Sequence, residues 1–283
     1  MQKIVRISNF VRCFNLIPIM KFLRHALFVS ALMVLCSCSQ EPVSLRLAHY
    51  NVGAFNKTDS SSTDAIAAMM SEIGADVVSV NEVDSCTTRT GLVDQLAAMS
   101  KKMGDWGCWY ASAMPYKGGA YGIGISYNPK LKVVRTDKLA LPKLTGTEPR
   151  ALAVVEFEDF VFATCHLDYK TADAQLGQIE VINAYMDKNF GNGAKPVFLC
   201  GDFNCVPESA PINEMLKSWK MISPVQMTYP AITPKKCIDY VFVREGICKV
   251  DVVDAKVYTA FKTGNVETAS DHLPLYVDVR IYN

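Results

Sequence analysis

Three short strings near the C-terminal end of the chain place acid, amide and imidazole side chains beside apolar runs. They are GDFNCVPES at 201–209, CIDYVFV at 237–243 and SDHLPL at 270–275. Such groups can bind a hard divalent cation, take a proton from an attacking water and donate to the charge of a transition state. Together they are typical of metal-assisted phosphoester hydrolysis. The candidate residues are Asp202, Asn204, Asp239, Asp271 and His272.

Three strings further upstream extend the pattern, each with a polar residue at the end of a strand-like run. LAHYNVGAF carries Asn51, VVSVNEVDS carries Glu82 and FATCHLD carries His166. In chain order the set is Asn, Glu, His, Asp-x-Asn, Asp and Asp-His. It resembles the set of the endonuclease/exonuclease/phosphatase superfamily, which has the deoxyribonuclease-I-like fold, from about Leu45 to the C-terminus. A single string such as GDFN occurs by chance, whereas six in the family's order are specific.

The apolar periodicity predicts strands and helices that carry these residues at their ends. Helices are predicted at 63–73, 92–103 and 172–190, and strands at 44–50, 76–80, 106–113, 121–127, 131–136, 150–157, 160–165, 196–200, 238–243, 249–258 and 275–281. The strands at 121–127 and 131–136 are expected to join through Asn128-Pro129 in a hairpin-like stretch. Strand runs interrupted by helices favour a sheet-on-sheet core with helices outside. The resemblance implies an α/β (α+β) four-layer sandwich, two packed mixed β-sheets flanked by helices, with the site at one end.

The resemblance also implies a metal site. Glu82 would bind Mg²⁺ or Mn²⁺, with Asn51 orienting oxygens on the metal side and Asp271 lying near the metal. From the residues alone, Glu82 could instead form an ion pair with a neighbouring strand, and Asn51 could be a turn residue. Family members often carry an acid two places after this Asn. Gly53 stands there in this chain, so that ligand is missing or comes from elsewhere.

By the same resemblance the remaining polar residues act on water and phosphate. Asp202 would deprotonate or position the attacking water, and Asn204 would hold a phosphate oxygen. His272 would contact the scissile phosphate as proton donor or charge stabiliser, with its ring fixed by Asp239. His166 matches the family's histidine that hydrogen-bonds to the phosphate.

Three further residues keep more than one interpretation. Tyr121, in GGAYGIG, resembles a tyrosine that some members aim at the phosphate, or it is a core aromatic of a strand. Arg150, in TEPRALAV, supports the site or pairs with Glu148. His49 is interpreted as a strand residue without a catalytic role.

Residues 1–38 read as an export leader outside the folded domain. A basic start precedes an apolar run of ten residues at 26–35, too short for the roughly 20 residues of a bilayer span and suited to a signal peptide. The LCSC that follows resembles a bacterial lipoprotein box. Cys38 is therefore the expected lipid anchor, on the outer membrane or periplasmic face of a cell envelope, and Met20 the expected start. A secretory signal cut near Cys38 without lipid is the alternative.

Removal of the leader would leave an acidic domain. Residues 1–37 hold five of the 29 basic residues and no acid, which leaves 24 basic against 28 acidic residues and a formal net charge of −4. Proteins that grip duplexes usually show a basic excess. Duplex nucleic acid is therefore not expected as a high-affinity partner, and a small or lipid-derived phosphoester is favoured over the alternative of an exported nuclease. A basic cluster at 130–143 is either a solvated face or a phosphate-steering rim.

The region 39–283 is expected to form one domain and a monomer. It has no low-complexity linker and no internal repeat of 20–50 residues. Its seven cysteines cannot be paired from sequence. A second class of function, a binding lipoprotein that has kept the fold and lost the chemistry, is disfavoured because the motif set is complete.

Overall fold

Residues 41–55 and 63–282 are described in this computed structural model, and they are built on two six-stranded sheets. Residues Pro42–Asn283 form one compact unit by themselves. The elements are β1 (Val43–Asn51), α1 (Thr63–Ile73), β2 (Val77–Ser85), α2 (Gln95–Lys102), β3 (Gly107–Tyr116), β4 (Gly119–Tyr127), β5 (Val133–Leu141), β6 (Arg150–Phe157), β7 (Val161–His166), α3 (Ala172–Phe190), β8 (Val197–Asp202), α4 (Ala210–Met215), β9 (Lys220–Met221), β10 (Asp239–Arg244), β11 (Lys249–Val257), α5 (Val266–Ala269) and β12 (Leu275–Tyr282).

Each sheet has one parallel pair at its centre, and its other neighbouring strands are antiparallel. The first sheet has the order β11-β12-β1-β2-β4-β3, with β1 and β2 parallel. The second has the order β5-β6-β7-β8-β10-β9, with β7 and β8 parallel. Because parallel neighbours end at the same edge of a sheet, each parallel pair presents two carboxyl ends side by side.

The layers follow from the alternation of side chains along each strand. The inner faces of the two sheets pack on each other through large apolar side chains, among them Leu47, Val77, Phe162, Phe198 and Val241. Helices α1 and α2 cover the outer face of the first sheet, and α3 and α4 cover that of the second. The predicted four-layer sandwich of two mixed sheets flanked by helices is confirmed.

Helix α3 has the bounds that its apolar spacing predicts. Thr171 caps its start by accepting a hydrogen bond from the backbone nitrogen of Ala174 at 3.3 Å. Ile179, Ile182 and Met186 recur at intervals of three and four and are completely buried against the second sheet. No helix in the part of the chain that the structure describes is long and apolar enough to cross a membrane.

The predicted hairpin between 121–127 and 131–136 is wrong. Strand β4 pairs with β2 and β3 in the first sheet, whereas β5 pairs with β6 in the second. Asn128 does form a turn, since its carbonyl accepts from the nitrogen of Leu131 at 3.0 Å. A local turn signal indicates a change of direction but does not specify which sheet the next strand joins.

The basic cluster at 130–143 lies along β5, which is an edge strand of the second sheet. Lys132 and Arg135 form ion pairs with Glu158 and Glu156 at 3.1 and 2.9 Å. None of the cluster's five cations lines the cavity of the candidate site. This location favours the solvated face over the phosphate-steering rim.

Candidate active site

The strands bring the predicted site residues together at one edge of the two sheets. β1 ends on Asn51 and β7 on His166, and β8 ends on Asp202, which is in register with His166. Asp239 begins β10 directly opposite Asp202. His272 lies three residues before β12. The parallel pairs β1–β2 and β7–β8 end at this edge, and the antiparallel strand β10 begins there. Residues far apart in sequence therefore meet.

Glu82 reaches the site through a bulge in β2. The register between β2 and β4 shifts between Asn81 and Val83, and Glu82 has a φ of 57°. A bulge re-aims a side chain at a strand end, and a left-handed backbone at a non-glycine residue costs roughly 1–3 kcal/mol. The predicted metal ligand is therefore held by a strained backbone.

Asn51 lies between two acids. Its Nδ2 donates to Glu82 Oε1 and to Asp202 Oδ2, each at 3.1 Å, while its Oδ1 accepts from the backbone nitrogen of Gly53 at 3.1 Å. One buried amide thus holds both carboxylates near a single point and offsets their repulsion. The nitrogen of Asn51, not its oxygen, faces the acids, so its role as a metal ligand stays a prediction.

Asp239 and His272 form the predicted carboxylate–imidazole pair. His272 Nδ1 donates to Asp239 Oδ2 at 2.9 Å, and its Nε2 lies 3.6 Å from Asp202 Oδ2. Burial by itself would lower the pKa of His272, but the charges of Asp239 and Asp202 raise it to about 9. The ring is therefore an imidazolium at neutral pH, with the Nε2 proton facing Asp202 and the cavity.

The two buried carboxylates have opposite electrostatic surroundings. Burial and the charge of Asp239 raise the pKa of Asp202. Burial would also raise the pKa of Asp239, but the charge and hydrogen bond of His272 and the hydrogen bond of His49 hold it below its usual range. Carboxylates whose pKa values are pushed apart are typical of acid–base sites. Asp202 can accept a proton, whereas Asp239 stays ionised.

Glu82, Asp202 and His272 open into a cavity of about 770 Å³, which Tyr121, His166 and Asn204 also line. His166 Nε2 lies 3.5 Å from Asp202 Oδ2, and the backbone nitrogen of Asn204 donates to Asp202 Oδ1 at 2.9 Å. Burial and the charge of Glu82 raise the pKa of the Tyr121 phenol. Tyr121 therefore remains a hydroxyl donor on the cavity wall.

Arg150, whose role the sequence left undecided, is buried on the same wall with 3% exposure. Its nearest acid is Glu148, at 3.5 Å, and its buried Nε has no hydrogen-bond partner among the described residues. A buried donor without a partner is costly, and a guanidinium fork suits phosphate oxygens. From the sequence, support of the site and pairing with Glu148 stayed equally open, because burial of a charged residue at a strand start leaves no local pattern.

Helix α3 holds the loops that end in the site. Gln178 Oε1 accepts from the backbone nitrogen of Asp168 at 2.9 Å. Gln175 Nε2 donates to the carbonyls of Asp168 and Asn204 at 2.7 and 3.3 Å. These buried amides fix the segments after β7 and β8, which carry His166 and Asn204.

Two residues near the site have contacts that the sequence alone did not indicate. Asp271 is half-buried, its carbonyl accepts from the nitrogen of Ala231 at 2.7 Å, and its charge adds to burial in raising the pKa of Tyr50. Its position near a metal stays a prediction. His49, interpreted as an ordinary strand residue, is completely buried, with Nε2 at 2.9 Å from Asp239 Oδ1.

The donor set fits a hard divalent cation. Glu82 and Asp202 bring carboxylate oxygens to one amide group, and Mg²⁺ and Mn²⁺ prefer such oxygen ligands. Asp202, Asp239 and His272 also offer one ligand atom each within 4.8 Å of one another. However, Asp239 and His272 are already hydrogen-bonded to each other. Glu82, next to Asn51, is therefore the better metal position.

Comparison with known proteins agrees with the fold. A model of the Endonuclease/Exonuclease/phosphatase family matches residues 48–272. An endonuclease/exonuclease/phosphatase family protein from Bacteroides thetaiotaomicron has a similar structure, with a TM-score of 0.69 at 19% identity over 86% of this chain and 100% of that one. The mannosyl-6-phosphatase of Bacteroides thetaiotaomicron VPI-5482 has a TM-score of 0.66 at 18% identity, over 83% and 99%. The human Nocturnin catalytic domain with bound sulfate has 0.66 at 16%, over 85% and 94%. A search of curated proteins found no match.

Proposed function

The chain belongs to the endonuclease/exonuclease/phosphatase family, and we propose that it is a divalent-metal-dependent phosphoesterase. In this proposal it hydrolyses a small or lipid-derived phosphodiester or phosphomonoester by in-line attack of water. The observation that carries the proposal is the convergence of Glu82, Asp202 and the Asp239–His272 pair at one edge of both sheets. A carboxylate acceptor and an imidazolium donor at one buried point, as Asp202 Oδ2 and His272 Nε2 are at 3.6 Å, are what water attack on phosphorus needs.

The chain's own residues divide the work between proton transfer and charge stabilisation. Asp202 Oδ2 takes the proton of the attacking water, because the raised pKa of this buried carboxylate makes it a better base. His272 Nε2–H faces the phosphate and donates to its developing charge, while Asp239 keeps the ring protonated at Nδ1. Bound at Glu82, whose carboxylate Asn51 holds by a hydrogen bond, Mg²⁺ or Mn²⁺ would supply positive charge to the phosphate oxygens.

The phosphate is held by donors on the cavity wall. Arg150 offers its buried guanidinium, and His166, Asn204 and Tyr121 offer side-chain donors around the same cavity. These groups fix the phosphorus in line with the water beside Asp202. Holding reactants in such an arrangement can itself supply several kcal/mol of the barrier reduction.

The cavity favours a small substrate. Its volume of about 770 Å³ lies within the usual range for small-molecule sites. The cations that line it are Arg89, Arg150 and Lys236, and the basic cluster on β5 lies outside it. Together with the net charge of −4 beyond residue 37, this supports a small or lipid-derived phosphoester as the substrate rather than duplex DNA.

We further propose that the protein is a monomer held at the cell envelope by a lipid on Cys38. The support is the LCSC string after the ten-residue apolar run. Cys38 lies outside the described residues. The lipid would keep the enzyme on the outer membrane or periplasmic face.

The test is a panel of soluble phosphomonoesters, phosphodiesters and lipid phosphoesters with the purified protein and Mg²⁺ or Mn²⁺. We expect metal-dependent turnover on at least one small substrate, and a higher metal requirement for Glu82→Gln. Glu180→Gln, at an exposed acid of α3, is the matched control. A folded, metal-loaded protein that binds inorganic phosphate but hydrolyses nothing would make it a binding protein. Turnover confined to DNA would make it a nuclease.

A further inference from the structure

A line of buried hydrogen bonds leads away from Asp239 into the space between the two sheets. His49 Nε2 lies 2.9 Å from Asp239 Oδ1, and His49 Nδ1 lies 2.8 Å from Ser79 Oγ. His49, Ser79 and Asp239 are 0–1% exposed. The imidazole of His49 thus connects the acid that partners His272 to a hydroxyl on the next strand.

The same line continues to the other half of the site. Ser79 Oγ lies 2.6 Å from Thr164 Oγ1, and Asn81 Nδ2 donates to Thr164 Oγ1 at 3.0 Å. Asn81 Oδ1 accepts from the backbone nitrogen of Asp202 at 2.9 Å. The line therefore begins at Asp239 and ends at Asp202, and it crosses between the two sheets on the way.

The line lies in a layer of its own between the apolar core and the site. In β1, β2 and β7, an apolar residue, a polar residue and a residue at the site's edge follow at intervals of two, so all three face the same side. The three series are Leu47–His49–Asn51, Val77–Ser79–Asn81 and Phe162–Thr164–His166. We call His49, Ser79 and Thr164 the polar layer.

One arrangement of protons gives each hydroxyl of the polar layer a donor and an acceptor. In it Asn81 donates to Thr164, the Thr164 hydroxyl donates to Ser79, and the Ser79 hydroxyl donates to His49 Nδ1. His49 then carries its proton on Nε2 and donates it to Asp239. Each hydroxyl is used once as donor and once as acceptor, and bonds aligned in this way strengthen one another.

At the end where it begins, the line fixes the rotation of the Asp239 carboxylate. Oδ2 accepts from His272 Nδ1 at 2.9 Å and from the Thr228 hydroxyl, and Oδ1 accepts from His49. Without the His49 bond, Oδ1 would be a buried charged oxygen with no donor. Such an oxygen is costly, and the carboxylate would turn to find a donor and carry His272 out of line.

We propose that His49 is a positioning residue for the reaction: it fixes Asp239, and thereby His272, and ties them through the polar layer to Asp202. The inference rests on the proposed phosphoesterase function. His49 touches neither water nor phosphate in this arrangement and acts only through Asp239. A purely structural role explains the polar layer less well, because an entirely apolar layer at this depth would pack without any hydrogen-bond partners.

The test compares two amides at position 49. In His49→Gln the amide nitrogen can reach the place of Nε2 and still donate to Asp239. In His49→Asn the shorter amide takes the place of Nδ1, keeps Ser79 and loses Asp239. We expect His49→Asn to lose about 10–100-fold in kcat, the usual loss for an orienting partner, with KM changed less than about threefold. His49→Gln should recover most of that loss.

A double-mutant cycle separates positioning from folding. If His49 acts through Asp239, His49→Asn added to Asp239→Asn should cost no further kcat, while the two changes lower the melting temperature separately. Equal losses in His49→Asn and His49→Gln would overturn the proposal. So would additive losses of kcat in the double variant.

A second readout does not depend on turnover. Beyond the leader the chain has only three histidines, His49, His166 and His272, so imidazole nitrogen spectra of the metal-free protein at one fixed pH are simple. We expect His49 as the Nε2–H tautomer, and a shifted His272 Nδ1–H signal in His49→Asn but not in His49→Gln. A His49 protonated on Nδ1 alone, or an unchanged His272 signal, refutes the positioning role. Failure of the whole substrate panel with the expected spectra would refute only the phosphoesterase proposal.

Discussion

Replacing the Asp239 carboxylate with an amide tests the electrostatic logic of the site most directly. Asp239→Asn keeps the size of the side chain and removes the negative charge beside His272 Nδ1, 2.9 Å away. Burial continues to disfavour the charged ring, as it does in the native protein. The charge of Asp202 still favours it, so we expect the pKa of His272 to fall toward its ordinary value.

The size of the effect follows from the pKa of His272. Its rise from 6.5 to about 9 favours the imidazolium by about 3 kcal/mol, since each tenfold in proton affinity is worth about 1.4 kcal/mol. The folded pKa lies above the unfolded one, so this stabilisation is fully present below about pH 6.5 and is lost as pH rises through about 9. At pH 7.5 a ring with a pKa of 6.5 is only about one-tenth protonated. The ring would also lose its orientation. Because of the lost charge and the lost orientation, we expect kcat to fall by about 10²–10³.

The assay is the pH dependence of kcat on the best small substrate, together with an NMR titration of the His272 ring in metal-free protein. The alkaline limb should move from near pH 9 in the native enzyme toward pH 6.5 in Asp239→Asn. Asp187→Asn, at an exposed acid of α3, is the matched control. It should change neither the alkaline limb of kcat nor the pKa of His272. An Asp239→Asn variant that keeps a His272 pKa near 9, or native kcat at pH 7.5, would refute the reasoning.

Four further outcomes are expected. Exhaustive EDTA treatment should abolish hydrolysis, and Mg²⁺ or Mn²⁺ should restore it; activity that persists without metal contradicts the oxygen-ligand site at Glu82. Asp202→Asn and His272→Ala should each lower kcat by at least about 10² with unchanged circular dichroism, and near-native kcat would remove that residue from the mechanism. Fluorescence anisotropy should show weak duplex DNA binding with a log–log salt slope shallower than about −4, and kcat/KM at about 0.15 M salt should favour small phosphoesters; the reverse preference identifies a nuclease. Cys38→Ala should abolish membrane association, whereas mass spectrometry that finds no N-terminal lipid on the native protein would exclude the anchor.

The predictable part of the site consists of residues at the ends of apolar runs. His166 and Asp202 each end a strand that is buried throughout, and Asn51 ends a strand whose last five residues are buried. A chain of consecutive apolar residues that stops at a polar one is visible in the sequence. The α3 bounds are predictable for a similar reason, since a 19-residue helix repeats its apolar spacing several times.

The unpredictable part depends on contacts that no local pattern encodes. The sequence around Asn128 marks a turn, but the sheet that β5 joins is set by its pairing with β6, which begins at Arg150. The bulge that turns Glu82 toward the site arises from a register shift against β4. His49 looks like any polar residue within a strand, and its partner Asp239 is 190 residues away.

The direction of β1 connects the proposed anchor to the choice of substrate. β1 begins at Val43 and ends in the site at Asn51, a distance of roughly 26 Å at about 3.3 Å per residue. Cys38 lies five residues before Val43, which gives that length of chain a reach of at most roughly 18 Å. For the cavity to face the bilayer that holds the lipid, Val43 would have to stand about 26 Å above it, beyond that reach. For an enzyme anchored at Cys38, that reach therefore excludes an upright β1 with its site on the bilayer.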